Sequence, residues 1–106
     1  MTDKDLSQLL EDALTGHGAR RLTAEQVEAL NSFAAHTPYR LQITEAFMIE
    51  PDGERPMFEY SLSGPLPASG EGVARDRGLA IEAFRDIVKR AAKETHPVMY
   101  HVWFRD

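Results

Sequence analysis

The final stretch of the chain reads His96-Pro97-Val98-Met99-Tyr100-His101-Val102-Trp103-Phe104. Because the side chains of a strand alternate between the two faces of its sheet, the even positions from 98 to 104 would share one face. Met99, His101 and Trp103 would share the other. Both sets are largely apolar, so the pattern predicts a strand that must be covered on each side.

Two helices are predicted ahead of the sheet. Leu6 and Leu10 belong to an apolar stripe at helical spacing. Thr23 and Gln26 form a capping-box pattern at the start of the second helix, and Pro38 ends it. Since the link between the helices is short, we expect an αα-hairpin over residues 3–36.

A β-hairpin is predicted over residues 39–62. Its first strand places an alternating apolar set on one face, interrupted by Glu45; the set is Leu41, Ile43, Phe47 and Ile49. A turn signal at residues 51–54 follows, because proline and glycine favour turn conformations. The second strand is expected over residues 57–62.

The rest of the chain predicts one loop, one helix and the last strand. Residues 64–72 are rich in glycine and proline, so we expect a mobile loop there. A helix follows over about residues 73–94, and the last strand occupies residues 97–104. The order α-α-β-β-α-β is typical of a single α+β domain over residues 1–106.

The hairpin restricts where the last strand can lie. A short turn leaves no room between the first two strands, so the third would sit at an edge of a three-stranded, mainly antiparallel sheet. We expect the order 2-1-3 with a split β-α-β crossover. An apolar edge invites pairing with another chain. Either the αα-hairpin covers it, or two copies join edge to edge as a homodimer.

Composition narrows the function classes. The 106 residues carry a net charge of −5, which opposes nonspecific nucleic-acid binding. Cysteine is absent, so disulfides and thiolate chemistry are excluded. No apolar run approaches the ~18 residues that would span a bilayer. We expect a soluble cytoplasmic protein, with alanine and arginine usage like that of a GC-rich bacterium.

Residues that could support catalysis or metal binding form no recognisable motif. The histidines, His17, His36, His96 and His101, lack the spacing of metal ligands. Glu45 is either a cleft carboxylate or a residue that reaches solvent or pairs with Arg40, and we favour the second interpretation. We therefore predict no catalytic, cofactor-binding or metal-binding residue and lean against an enzyme.

The function predicted from these patterns is a non-enzymatic protein-binding or self-assembling module. Its contact residues would come from the last strand, and they are Met99, Tyr100, His101, Trp103 and Phe104. One alternative is a nucleic-acid or anion binder that uses a basic set, Arg75, Arg77, Arg85, Lys89 and Lys93. A second alternative is a small enzyme or ligand binder with a site among the 64–72 loop, Glu45 and a histidine.

Overall fold

A computed structural model describes residues 2–62 and 77–105 of the chain, and it is an α+β structure as predicted. The predicted loop at 64–72 and the first residues of the predicted third helix lie outside the described residues. The described elements are α1 (Asp3–Ala13), β1 (Ala19–Leu22), α2 (Ala24–Ala34), β2 (Arg40–Glu50), β3 (Gly53–Pro56), a 3₁₀ turn (Phe58–Tyr60), α3 (Arg77–Ala91) and β4 (Val98–Arg105).

The capping box predicted for the second helix is confirmed. The backbone N–H of Gln26 donates to the Thr23 hydroxyl at 3.2 Å, and the Thr23 N–H donates to Oε1 of Gln26 at 2.9 Å. A second capping box joins Thr2 and Asp5 at the start of α1. These bonds satisfy amides that have no partner within the helix. The Thr23 cap also fixes the point where β1 turns into α2.

The sheet has four antiparallel strands in the order β1-β4-β2-β3. The prediction of a three-stranded sheet with the last strand at its edge is wrong. β4 pairs with β2 on one side, as expected, but on the other side it pairs with β1, a strand in the link between α1 and α2. The burial pattern of β1, with Ala19 and Leu22 buried and two exposed arginines between them, does not alternate. That explains why periodicity missed it.

The predicted hairpin is also shifted. The turn at Pro51 and Asp52 is confirmed, because Glu50 and Gly53 face each other directly across it. The second strand is therefore β3, at 53–56, and the prediction of a strand at 57–62 is wrong. After β3 the chain enters the 3₁₀ turn, and Leu62 returns only for a single bridge to Thr44.

The core lies between the sheet and the three described helices. Tyr100, Val102 and Phe104 of β4 point into it, and the ring of Phe84 on α3 meets Tyr100 edge to face at 5.0 Å. Since all three helices contribute to this one cluster, they lie on the same side of the sheet. None of them covers the opposite side. None of them has the length and apolar character needed to cross a membrane.

Candidate functional site

The side of the sheet that faces away from the described helices is the candidate functional site, and we call it the open face. Its residues come from all four strands, and they are Arg20, Arg21, Arg40, Ile43, Glu45, Phe47, Ile49, Glu54, Met99, His101, Trp103 and Arg105. Directly opposed pairs across β2 and β4 join Ile43 to Trp103 and Glu45 to His101. The open face is therefore a continuous two-strand surface flanked by β1 and β3.

An irregularity in β2 decides which of its residues reach the open face. Leu41 faces Phe104, but Ile43 faces Trp103, so one extra residue is accommodated between them. Leu41 consequently points into the core and is 1% exposed, whereas Ile43 points outward. The prediction that both lie on one face is wrong, because strict alternation does not hold across a bulge.

A second bulge, in β1, places two arginines side by side. Ala19 faces Val102 and Leu22 faces Tyr100, so Arg20 and Arg21 together oppose the single residue His101. Both arginines are exposed, and the backbone of Arg21 is left-handed with φ of 60°. That conformation costs a residue with a side chain about 1–2 kcal/mol. Strained backbone of this kind is concentrated at functional sites, which draws attention to the open face.

His101 is the centre of this arrangement. The backbone N–H of Arg21 donates to its Nδ1 at 3.2 Å. Its ring stacks on Phe47, with 4.2 Å between the ring centres. Burial lowers the pKa of His101, nearby Arg20 and Arg21 lower it further, and Glu54 and Glu45 oppose the shift. Since Nδ1 accepts a hydrogen bond, the neutral ring carries its proton on Nε2.

An ion pair joins the two edge strands across the open face. Arg21 of β1 binds Glu54 of β3, with β4 and β2 between them. Both side chains are partly exposed, so the pair contributes little to stability. Phe47, stacked beneath His101, is only 4% exposed although it lies outside the helix-side core. Phe47 is therefore already covered by residues of the chain itself.

Trp103 is held by the link that follows α1. Its Nε1–H donates to the carbonyl of Gly16 at 3.2 Å. The backbone of Gly18 lies so close to the indole that a Cβ on Gly18 would stand 2.6 Å from Cε2 of Trp103. The glycines of the link were the sequence signal for this contact, because only a residue without a side chain permits such an approach.

The five residues predicted for interaction divide between two faces. Met99, His101 and Trp103 lie on the open face, where Met99 and Trp103 are half-buried. Tyr100 and Phe104 lie in the core at 1% and 3% exposure. Burial raises the pKa of Tyr100 to about 12, so the phenol stays neutral there. No pattern in the sequence places β1 residues beside this set.

The basic set of the anion-binding alternative is only partly described. Arg75 lies outside the described residues, as does the side chain of Arg77. Arg85 forms an ion pair with Glu28 of α2 at 2.7 Å. Lys89 and Lys93 are exposed near the end of α3. One member of the set therefore already has an acidic partner within the chain.

Glu45 is exposed on the open face, in agreement with the solvent-facing interpretation. A separate cleft of about 490 Å³ lies between the start of α2, the end of α3 and the start of β4, and His96 and Glu94 help to line it. The Tyr60 hydroxyl donates to Oε1 of Glu94 at 2.7 Å beside it. Across residues 2–62 and 77–105, no three histidine or acidic side chains are grouped to hold a metal ion.

Comparisons with family models, curated proteins and solved structures find no match, so the functional argument rests on the residues of the chain itself.

Proposed function

We propose that this protein is a binding module for another protein and that the open face is its contact surface. The observation that carries the proposal is a group of half-buried apolar side chains on a sheet face that no described helix covers; they are Ile43, Ile49, Met99 and Trp103. The pair formed by Ile43 and Trp103 is separated from Met99 by the pair formed by Glu45 and His101. Apolar side chains left accessible on a surface in this way favour a site of protein interaction.

The layout of the open face supports this proposal. Ile43 and Trp103 are directly opposed, and charged side chains surround them. Protein interfaces commonly have such an apolar centre with a polar rim, and tryptophan is enriched among the residues that dominate binding energy. The surface is also well fixed, because β4 is paired along both edges and Trp103 is bonded to Gly16. Little ordering would be required on binding.

The pairing of β4 changes how self-assembly would occur. Edge-to-edge joining through the last strand would need a free edge, but β1 occupies one edge of β4 and β2 the other. In this proposal a second copy would contact the open face. Self-association and binding to another protein thus use the same surface in this proposal. One experiment can distinguish which of the two occurs.

A photoreactive phenylalanine analogue at Ile43 tests the proposal in the cells that produce the protein. We expect irradiation to yield one dominant cross-linked species, identified by mass spectrometry as a single protein. The same analogue at Lys93, an exposed position on the helix side, is the matched control and should yield little. Equal yields from the two positions, or no product from Ile43, would contradict the proposal. A product that contains only this chain would indicate self-association.

A further inference from the structure

We infer that the segment seated on the open face is an acidic stretch of polypeptide whose carboxylates meet Arg20 and Arg105. This inference rests on the proposed function and specifies the chemistry of the partner. The apolar centre alone would accept many partners, so the distinguishing information comes from the charges around it.

The charge of the open face is opposite to that of the chain. Arginine occupies positions 20, 21, 40 and 105 of this face, whereas its acidic residues are Glu45 and Glu54. The formal charge of the face is thus positive, although the chain carries −5. At physiological ionic strength charges are screened over about 8 Å. A bound segment would therefore respond mainly to the arginines next to it.

Arg20 is the clearest attachment point. Its side chain is exposed and forms no hydrogen bond or ion pair with any residue in 2–62 or 77–105. Its neighbour Arg21 already binds the carboxylate of Glu54 on the same face. The guanidinium group matches the geometry of a carboxylate, which it can bind through two parallel hydrogen bonds. A carboxylate from a partner would form with Arg20 the kind of ion pair that Glu54 forms with Arg21.

A second attachment point lies at the other end of the face. Arg40 and Arg105 are directly opposed on β2 and β4, next to the pair formed by Ile43 and Trp103. Arg105 is exposed, so its guanidinium group is accessible to a carboxylate of a bound segment. The two attachment points flank the apolar centre, so an acidic segment that also carries aliphatic side chains fits the face.

The aromatic groups favour a polypeptide over a nucleic acid. Single-stranded nucleic acids bind sheet faces by stacking their bases on accessible rings. Phe47 lies beneath His101, and one side of the Trp103 indole is against the backbone of Gly18. Each of the two accessible rings, His101 and Trp103, thus already has a contact within the chain, which leaves less ring surface for base stacking.

The test uses three short capped peptides that alternate valine with glutamate, glutamine or lysine. Binding to the isotope-labelled protein is followed by two-dimensional NMR at low salt, with amide shifts expected at Ile43, Glu45 and Trp103. We expect the glutamate peptide to bind about tenfold more tightly than the glutamine peptide. The lysine peptide should bind least, and added salt should weaken the glutamate complex.

A pair of double variants with equal net charge locates the contact. Arg20→Gln combined with Arg105→Gln should lower the affinity for the glutamate peptide about tenfold, since each exposed charge contributes about threefold. Lys89→Gln combined with Lys93→Gln removes the same charge from the end of α3 and the turn that follows it, and should leave the affinity unchanged. Equal losses in the two double variants would overturn the assignment to the open face, because the effect would then reflect overall charge.

Other outcomes separate the inference from the proposed function. If the glutamine peptide shifts the same amides with equal affinity, the acidic specificity is wrong while the open face remains a protein-binding surface. No shift with the glutamate peptide at millimolar concentration also overturns the acidic specificity. If a uridine oligonucleotide shifts the same amides and binds more tightly than the glutamate peptide, both the inference and the proposed function are wrong, and the open face binds nucleic acid. Open-face shifts that grow with protein concentration alone would overturn the inference in favour of a second copy.

Discussion

The backbone N–H of Arg21 donates to Nδ1 of His101 at 3.2 Å, at the point where β1 accommodates one extra residue against β4. The bond links a residue in the left-handed backbone region to an imidazole near the centre of the open face. A neutral ring is needed to accept it. The backbone strain of β1 and the protonation of His101 are therefore coupled through one hydrogen bond.

The left-handed backbone at Arg21 predicts a specific order of stability among its variants. Asparagine tolerates a φ of 60°, whereas a β-branched residue does not. Arg21→Asn should therefore be about 1 kcal/mol more stable than Arg21→Val, although both lose the ion pair with Glu54. Urea denaturation followed by circular dichroism measures the difference.

The neighbouring position supplies the control for that comparison. Arg20 is exposed and is not among the residues with positive φ. In a strand, Arg20→Val should be at least as stable as Arg20→Asn, because valine has the higher strand propensity. The same order at both positions would show that the left-handed backbone of Arg21 does not determine the result.

His101 predicts a loss of stability in mildly acidic solution. Its pKa is lowered in the folded protein by burial and by Arg20. Below pH 6.5, the ordinary pKa of histidine, the His101 imidazole binds a proton in the unfolded chain but stays neutral in the folded chain until the pH reaches its lowered pKa. The contribution of His101 is thus complete above pH 6.5 and is lost as pH falls from there toward the lowered pKa. The free energy of unfolding of His101→Gln should decline less over this range.

Two measurements check the physical causes of that shift. NMR titration of the imidazole should give a midpoint for His101 below 6.5 in the native protein. In Arg20→Gln the midpoint should rise, since Arg20 is the largest electrostatic contribution that lowers it. A midpoint that is unaffected by Arg20→Gln would show that the arginine does not act on His101.

Gly18 predicts a large effect from the addition of one methyl group. Its φ is +71°, and a Cβ would stand 2.6 Å from Cε2 of Trp103 and 2.8 Å from the carbonyl oxygen of Val102. Gly18→Ala should therefore cost about 2–4 kcal/mol, from the strained backbone and the forced movement of β4. Because Trp103 is the only tryptophan, its fluorescence reports both the unfolding and the change around the indole.

Gly16 provides a matched control two residues away. A Cβ there would have no atom within 4 Å, and its φ is not in the positive region. Gly16→Ala should leave the free energy of unfolding within about 0.5 kcal/mol of that of the native protein. Equal losses at the two glycines would mean that the close approach of Gly18 to Trp103 is not what restricts this link.

The sequence predicted those features that depend on local patterns. The class of fold, the capping box at Thr23, the turn at Pro51 and the pairing of the last strand with β2 all follow from spacing and turn chemistry. The open face does not. It depends on two bulges and on β1, in which two arginines stand between Ala19 and Leu22. A bulge changes the face of every later residue without changing the composition, so alternation cannot reveal it.

The same limitation affected the prediction for the last strand. The apolar character of residues 98–104 predicted cover on both faces, but it did not identify which part of the chain lies on which face. Tyr100, Val102 and Phe104 meet the helices, whereas Trp103 meets the link at Gly16 and Gly18. The free edge that motivated the edge-to-edge dimer is occupied by β1, which is four residues of that link. This pairing was not predicted, because its hydrogen bonds are formed by the backbone and leave little trace in side-chain patterns.

Two phenylalanines predict opposite responses to the same substitution. Phe84 on α3 is 0% exposed and meets Tyr100 edge to face, whereas Phe58 in the 3₁₀ turn is 83% exposed. Phe84→Ala should cost about 3–5 kcal/mol, because it leaves a cavity between α3 and β4. Phe58→Ala should change the free energy of unfolding by less than about 0.5 kcal/mol. If Phe84→Ala is too unstable to measure, Phe84→Leu should still unfold at lower urea than the native protein, since leucine fills only part of the site. A cost for Phe58→Ala that equals that of Phe84→Ala would contradict the position of the core, because it would require Phe58 to be buried in solution.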